Sequence, residues 1–277
     1  MARSGPITLA LPSFGGATRK LVLVHVGIFF GVALLSLFGR SANAFIIFVT
    51  ALSPSDVIHG QVWRLVTYGF TPLGLVGTLF AVLTLWFVGS MLEERRGERW
   101  LYELYFSSIV AGGILATAIA STHLLHIDPA SMVAAGARAG NYGLLVALAM
   151  VDGDQEFLLF FLVRVKVRYM VALYVLIQLA LMVSENGALN ALVLVCAALG
   201  GYLFVKFVPR RGLSYAATER FYSLRNEFYR NKRRRTARKF EVYMKAQDRE
   251  VHFDHDGRYV EPDKDPQRNP NDKRWMN

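Results

Sequence analysis

The sequence predicts an all-α membrane protein, and three observations carry that prediction. Hydrophobic residues make up 53% of the 277 residues and charged residues only 19%, a composition too apolar for a soluble domain of this length. Several windows approach the length of about 20 apolar residues that a bilayer-spanning helix needs. Lys and Arg lie mostly between these windows and after the last of them. The pattern therefore favours a polytopic helical bundle.

Six apolar segments are predicted to span the bilayer. They lie near residues 20–38, 73–91, 101–122, 133–151, 169–184 and 187–208. The first begins after Arg19 and Lys20, but no small-residue cleavage site follows it, so we interpret it as a retained span and not as a secretory signal. Cys196 is the sole cysteine, which excludes an intramolecular disulfide.

The positions of Lys and Arg predict the orientation of the spans. If the N-terminus is cytoplasmic, every inner segment holds basic residues, whereas the outer segments hold only Arg40 and Arg64. Because basic residues concentrate in cytoplasmic loops, we expect both termini in the cytoplasm. The expected organisation is a cytoplasmic segment over 1–19, a six-span membrane domain over 20–208 and a basic cytoplasmic tail over 209–277.

Two connecting segments have distinctive patterns. The outer segment 39–72 is apolar but too short and broken to span twice, so we expect it to lie in the interface, with Trp63 and Tyr68 at headgroup level and Arg64 reaching lipid phosphates. The inner segment 157–168 changes from an apolar run to alternating Val, Arg and Lys. This alternation predicts an extended or amphipathic connector.

The tail after residue 209 carries most of the net charge of +10, especially in the basic run 230–239. Aromatic residues among these basic ones predict one or two amphipathic helices over about 215–247. The polar stretch from His252 onward is expected to be extended or disordered. Because the basic run follows a span, we expect it to contact an anionic leaflet or a cytoplasmic partner and not nucleic acid.

A series of short motifs follows in order between residues 20 and 208. Trp63-Arg64 lies in the outer segment, Leu85-Trp86-Phe87-Val88-Gly89 precedes Leu92-Glu93 and Gly97, and then come Gly136-Ala137 and Leu199-Gly200-Gly201. Their order and spacing resemble the rhomboid superfamily of intramembrane serine proteases. The resemblance implies a rhomboid-like bundle of six transmembrane helices.

The resemblance also implies where the catalytic residues would fall. The serine nucleophile would stand two residues after Gly136 and the histidine base immediately before Leu199, but these positions hold Arg138 and Ala198. The family's oxyanion-stabilising His and Asn would fall at Gly77 and Ala81. A hydroxyl needs a base to accept its proton and donors to stabilise the oxyanion, so we expect no catalytic residue at these four positions.

Other hydroxyls do not restore a catalytic pair in this interpretation. Ser131 lies outside the Gly-rich segment, and Ser107, Ser108 and Ser184 have no plausible base on a facing span. The last span contains no His, Lys, Asp or Glu before Lys206. Within the spans the remaining histidine is His25, which we interpret as an inward polar residue bonded to a neighbour.

Arg138 is the most distinctive replacement in the sequence. The predicted span places it about five residues, or some 8 Å, below the outer end, where it could snorkel outward. Two interpretations stay open: it binds a carboxylate or lipid phosphate, with Asp128 or Glu185 as candidate partners, or it only fills a disused cavity. Trp63 and Arg64 are the other residues expected to contact clients or lipid.

Glycines are expected to let the spans approach closely. The helix-packing positions are Gly136, Gly140, Gly143, Gly200 and Gly201. His123, His126 and Asp128 share one short loop but are too few and unsupported to predict a metal site. We therefore expect no metal and no cofactor.

By resemblance to the rhomboid pseudoproteases and derlins, we expect a protein that binds transmembrane segments of clients without cutting them. Two alternatives stay open: an intramembrane serine-type endopeptidase with an unconventional active site, and a membrane assembly scaffold acting through its basic tail. The expected partners are membrane lipids, transmembrane clients and a cytoplasmic partner of the tail. Short loops suit a plasma membrane or a bacterial-type inner membrane.

Overall fold

A computed structural model describes residues 12–37, 39–122, 127–159, 163–182, 188–208, 212–247, 251–253 and 258–260. Helices dominate this part of the chain. They are α1 (Gly16–Ser36), α2 (Arg40–Thr50), α3 (Pro54–Ile58), α4 (Arg64–Thr67), α5 (Leu75–Arg96), α6 (Glu98–Ser121), α7 (Arg138–Asp152), α8 (Val167–Leu181), α9 (Ala188–Phe207) and α10 (Leu213–Lys245). A 3₁₀ turn, Tyr68–Phe70, follows α4, and two short antiparallel hairpins pair β1 (Glu156–Leu159) with β2 (Val163–Lys166) and β3 (His252–Phe253) with β4 (Tyr259–Val260).

Within the described residues, four helices are long and apolar enough to cross a membrane, namely α1, α5, α6 and α9. They match the first, second, third and sixth predicted spans, so the prediction of an integral membrane protein is confirmed at that level. Helices α7 and α8 occupy the fourth and fifth predicted spans but have 15 residues each. At 1.5 Å per residue each reaches about 22 Å, less than the hydrocarbon core of about 30 Å.

The start of the fourth predicted span is wrong by five residues. The chain over 133–137 is not helical, because the outer loop uses its backbone groups. Leu52 and Val133 exchange two backbone hydrogen bonds of 2.9 and 2.8 Å, and the Tyr68 carbonyl accepts from the amides of Ala135 and Gly136. Gly136 has φ +52°, which suits a tight turn before α7.

The bundle is centred on α6 and α9, whose mutual contact is the most extensive between helices. Helix α7 packs against both and also touches α5 and α8, so α7 lies between those two. Side chains such as Leu104, Ile109, Leu144, Val193 and Leu194 are almost completely buried at these contacts. The core is therefore a helix-on-helix layer with α6, α7 and α9 inside and α1, α5 and α8 around them.

A hydrogen-bonded cap joins α5 to the end of the bundle at which α1 begins. The Glu93 carboxylate of α5 accepts from the amides of Ala17 and Thr18 and from the Thr18 hydroxyl, at 2.6 to 2.9 Å. These are otherwise unsatisfied donors in the first turn of α1, and a carboxylate there also opposes the positive end of the helix dipole. Arg95 of α5 pairs with Asp152 at the end of α7 at 2.5 Å.

The expected extended connector between the fourth and fifth spans is the β1–β2 hairpin. Its register places Glu156 opposite Lys166, so opposite charges pair across the strands. Asp154 forms ion pairs with Lys166 and Arg168 beside the hairpin. The alternation of Val with Arg and Lys therefore belongs to a strand. Of the two predicted forms of this connector, extended or amphipathic, the structure has the extended one.

Backbone contacts divide the chain into a first unit that ends at Leu213 and a second that begins at Ser214. In the second unit, the long helix α10 matches the predicted amphipathic helix. The short β3–β4 hairpin packs its Phe253 ring against Phe240 of α10, with centroids 6.1 Å apart. The expected extended end of the tail falls largely on residues after 260, which lie outside the described residues.

Candidate functional site

Arg138 is the first residue of α7, not a residue five positions inside a span. The side chain is half-buried, and its Nε is 3.4 Å from the Ala135 carbonyl oxygen. Across the described residues, no ion pair is formed by Arg138, and the Asp128 carboxylate accepts instead from the amide of Ala130 at 2.9 Å. The other proposed partner, Glu185, lies outside the described residues. Within the described ranges, the other donors of this guanidinium make no hydrogen bond, and the group stands at the positive end of the α7 dipole, where an anion would be stabilised.

The second position of interest, Ala198, is buried in α9 at 4% exposure. Its methyl group has neither a proton to give nor a lone pair to receive one. Gly77 and Ala81 lie on α5, and both lack a polar side chain. The Ala81 carbonyl oxygen accepts from the Asn141 side-chain amide of α7 at 2.7 Å. At this position a polar contact joins two helices where the resemblance implied an oxyanion donor.

His25 lies in a buried cluster beside the 3₁₀ turn, next to a small cavity that Ala81, Gly136 and Ala137 also line. Its Nδ1 is 2.9 Å from the Leu21 carbonyl oxygen, and its Nε2 is 3.2 Å from both the Gly69 carbonyl oxygen and the Tyr105 hydroxyl. Phe70 stacks on the ring at 4.8 Å. This is the bonded inward histidine that the sequence favoured, and its nitrogens are occupied by backbone carbonyls and a phenol.

The serines of α6 are bonded to their own helix. Ser107 and Ser108 both donate to the Leu104 carbonyl, at 2.9 and 2.8 Å, and Ser108 lies against Gly143 of α7. These two serines of α6 therefore bond to a helix carbonyl and not to a histidine or lysine side chain. Ser184, named in the sequence interpretation, lies outside the described residues.

A short polar strip continues along α7 from Arg138 towards α8. Tyr142 follows Arg138 by one helical turn, and its hydroxyl accepts from the Gln178 amide of α8 at 2.8 Å. Residues four apart lie on the same helix face, so the guanidinium and the phenol share one side of α7. The strip lies between α5 and α8, whose large side chains are exposed, for example Phe80 at 65% and Leu173 at 57%.

The two residues of the outer loop fall in different environments. Trp63 is 49% exposed, and its Nε1 donates to the Val49 carbonyl at 3.4 Å. Phe48 and Val62, the chain neighbours of Val49 and Trp63, are also exposed, which suits the interfacial position that stays a prediction for Trp63. Arg64 is only 1% exposed. Its guanidinium reaches Asp56 at 3.2 Å, the Ala51 carbonyl at 2.7 Å and the Gln61 side chain at 2.6 Å. The expected phosphate contact of Arg64 does not fit this burial, because the loop itself satisfies the guanidinium.

The same loop is anchored to the bundle through Tyr68. Its hydroxyl donates to the Ile109 carbonyl of α6 at 2.7 Å, and its side chain is completely buried. Burial raises the pKa of the Tyr68 hydroxyl, which therefore stays protonated and able to donate. The loop is thus fixed at both Arg64 and Tyr68.

Four of the five glycines expected to pack helices lie at close contacts. Gly140 lies against the Tyr105 ring, Gly143 against Ser108, and Gly200 against Ala111; a Cβ built on Gly201 would be 2.6 Å from the Gly143 Cα atom. Gly136 differs, because it lies in the turn before α7. A Cβ there would meet the Thr71 carbonyl oxygen at 2.9 Å, so this glycine serves the turn.

Three contributors to the site were not singled out from the sequence. Asn141, Tyr142 and Gln178 are polar residues in otherwise apolar helices. Polar groups within a membrane need hydrogen-bond partners, so an isolated amide in a predicted span could have indicated a contact with another helix. In the described part of the chain no group of three or more potential metal ligands occurs, and His123 and His126 lie outside it.

Comparison with known proteins supplies the remaining observations. The family model described as Rhomboid domain matches residues 59–211, which is more than half of the chain. Rhomboid-like protein 19 of Arabidopsis thaliana is 25% identical over 190 residues. That match covers 65% of this chain and 60% of the relative, so the chain spans less than two thirds of the relative's length.

Proposed function

The chain belongs to the rhomboid family, and on that premise we propose that it binds transmembrane segments of client proteins without cleaving them. The proposal includes six spans, with α7 and α8 as the two short ones, and both termini in the cytoplasm. It also places the protein in a plasma or inner membrane.

One observation supports the proposal that the protein does not cleave its clients. The position that the family's pattern gives to the nucleophile holds Arg138, and the position of the base holds buried Ala198. The described serines of α6 donate to helix carbonyls, and His25 contacts carbonyls and Tyr105. A hydroxyl without a base is a weak nucleophile, so binding without hydrolysis fits this bundle best.

The polar strip supports a client-binding surface on α7. In a membrane, exposed apolar side chains alone do not discriminate a client helix from lipid, because both are apolar. A half-buried guanidinium with available donors does discriminate, because it pairs with a carboxylate that is itself costly in the bilayer. We therefore propose that Arg138 selects the client. Tyr142 and Gln178 extend the same polar strip, which lies between α5 and α8.

The test uses two single-span reporter proteins that differ only in one residue near the outer end of the span, Asp in one and Leu in the other. A photo-crosslinking residue replaces Leu173 on α8, and a second variant carries it at Leu35 of α1 as the matched exposed control. We expect the Asp reporter to crosslink at Leu173 about tenfold more than the Leu reporter, with no reporter cleaved. Arg138→Gln should remove the preference, while Arg138→Lys should keep part of it.

Two results would contradict the proposal. If the Asp and Leu reporters crosslinked equally, and to the same extent at position 173 as at position 35, the bundle would contact a client helix no more selectively than it contacts lipid. Reporter cleavage that a point change in the membrane helices abolishes would instead make the protein a protease.

A further inference from the structure

The second unit contains a cavity that the proposed membrane function does not use. It has a volume of about 740 Å³ and lies between α10 and the β3–β4 hairpin. This size falls within the range of ligand-binding pockets. Its apolar wall consists of Tyr229, Phe240, Met244, Val251, Phe253 and Tyr259. Lys232 and Arg233 stand at the same opening.

Tertiary contacts build this cavity. The Phe253 ring of β3 meets Phe240 at 6.1 Å and Tyr259 at 6.2 Å, both nearly edge to face. Ala237, at the floor between the two basic residues and Phe240, is buried at 8% exposure. The rings remain open on their outer side, since Phe240 is 46% and Tyr259 is 59% exposed. Among the described residues, the two strands thus form one wall of a groove with an open mouth.

A second, basic cavity continues the groove along α10. It measures about 290 Å³ and shares Lys232 and Thr236 with the first. Arg235 and Lys239 also line it, so the aromatic cavity passes directly into a cationic one. Helix α10 carries ten Lys and Arg residues against three Glu, which gives the whole groove a positive field.

We propose that this groove binds an acidic peptide segment of a soluble partner protein, with an apolar side chain in the aromatic cavity and carboxylates along the basic one. An extended peptide has both groups on one chain and can cross two adjoining cavities, whereas a planar bilayer surface cannot enter a concave groove. Single-stranded nucleic acid would need a row of open ring faces for base stacking. The rings here meet edge to face, which favours an inserted side chain over stacked bases.

The experiment uses the full chain in nanodiscs of neutral phosphatidylcholine, so that no anionic lipid competes. The probe is a fluorescein-labelled peptide with a central Leu-Phe pair flanked by Asp and Glu, and binding is followed by anisotropy. We expect saturable binding that Arg233→Glu weakens about tenfold. Arg238→Glu is the matched control, because Arg238 is on the same helix but lines neither cavity. It should weaken binding by less than about threefold.

A second variant tests the apolar half independently of charge. Ala237→Trp fills the floor of the aromatic cavity and should weaken binding of the Leu-Phe peptide about tenfold. A control peptide with Ser in place of Leu and Phe should bind the unchanged protein about tenfold more weakly as well. Circular dichroism of both variants verifies that α10 remains helical.

The proposal is overturned if Arg238→Glu weakens the peptide as much as Arg233→Glu, because binding then follows net charge alone. It is also overturned if oligouridine RNA or vesicles containing phosphatidylserine bind in a manner sensitive to both groove variants while the peptide does not. Neither result bears on client capture at Arg138, so the two proposals fail separately.

Discussion

At the scale of single residues, the bundle depends on small side chains at helix contacts. Gly143 of α7 and Gly201 of α9 meet almost backbone to backbone, and Gly140 makes room for the Tyr105 ring. In a membrane, close approach of this kind replaces the hydrophobic effect as the source of helix association. The same scale bears on the proposed loss of proteolysis, because the resemblance assigns the positions of the nucleophile and the base to Arg138 and Ala198.

We expect Gly201→Ala to destabilise the bundle by about 1–3 kcal/mol, the usual cost of overpacking a well-packed core. The added methyl would meet the Gly143 Cα atom at 2.6 Å and its carbonyl oxygen at 2.7 Å, and these backbone atoms cannot rotate away. Unfolding by increasing SDS in mixed micelles measures the change. Gly31→Ala is the control, because nothing lies within 4 Å of a Cβ there. Equal loss of stability in both variants would contradict the packing role of Gly201.

At the scale of elements, polar side chains of one element bond the backbone of another. Glu93 of α5 caps α1, Asn141 of α7 bonds the backbone of α5, and the Tyr68 hydroxyl bonds the backbone of α6. A lipid environment supplies no water to unsatisfied groups, so such contacts hold neighbouring helices in register. The short helix α7 is positioned by its neighbours in the same way, since its preceding turn is bonded to the outer loop.

Glu93→Gln should loosen the first turn of α1. The carboxylate accepts three hydrogen bonds from Ala17 and Thr18, whereas a side-chain amide has one oxygen and would present an N–H group to one of these donors. We expect faster hydrogen exchange at residues 17–21 and a loss of about 1–3 kcal/mol in the free energy of unfolding.

Glu94→Gln serves as the comparison for that variant. Glu94 is exposed and accepts only from the Ser13 hydroxyl, so exchange in α1 should stay near the native rate. A native exchange pattern in Glu93→Gln would mean that the cap does not hold α1.

At the scale of the whole molecule, the chain combines a membrane bundle with a separate basic unit, and the two carry separate proposals. The bundle has its polar strip at the outer start of α7 if the predicted orientation is right. The second unit has its groove on α10, in the part of the sequence that follows the last span. Under the two proposals, the bundle binds a client helix and α10 binds a peptide segment of a partner protein.

Cysteine labelling in sealed vesicles tests the predicted topology. Ser13, His59 and Ser223 are exposed, so a cysteine introduced at any one of them should be accessible to a labelling reagent, whereas the native Cys196 is buried. An even number of spans predicts that a membrane-impermeant maleimide reaches Ser13→Cys and Ser223→Cys from one side and His59→Cys from the other. Labelling of positions 13 and 223 from opposite sides would require an odd number of crossings and rule out six spans.

Much of the fold is predictable from local sequence patterns. Hydropathy locates α1, α5, α6 and α9, because a run of apolar side chains has one low-energy solution in a bilayer. Alternation over 163–166 predicts β2, and the basic aromatic pattern predicts α10. That Arg138 and Ala198 occupy the positions of the family's dyad is inferred from the resemblance in the sequence, and it stays a prediction.

Tertiary structure decided where the polar groups find partners. The late start of α7, the cap by Glu93 and the contact between Tyr142 and Gln178 join residues distant in the chain. Arg64 instead finds its partners within its own loop. Hydropathy reports the solvent preference of a segment but not which neighbour faces a given side chain. That choice is made by helix packing, so the sequence determined which residues are available for binding, and the assembled bundle decided which of them are bonded to a neighbour.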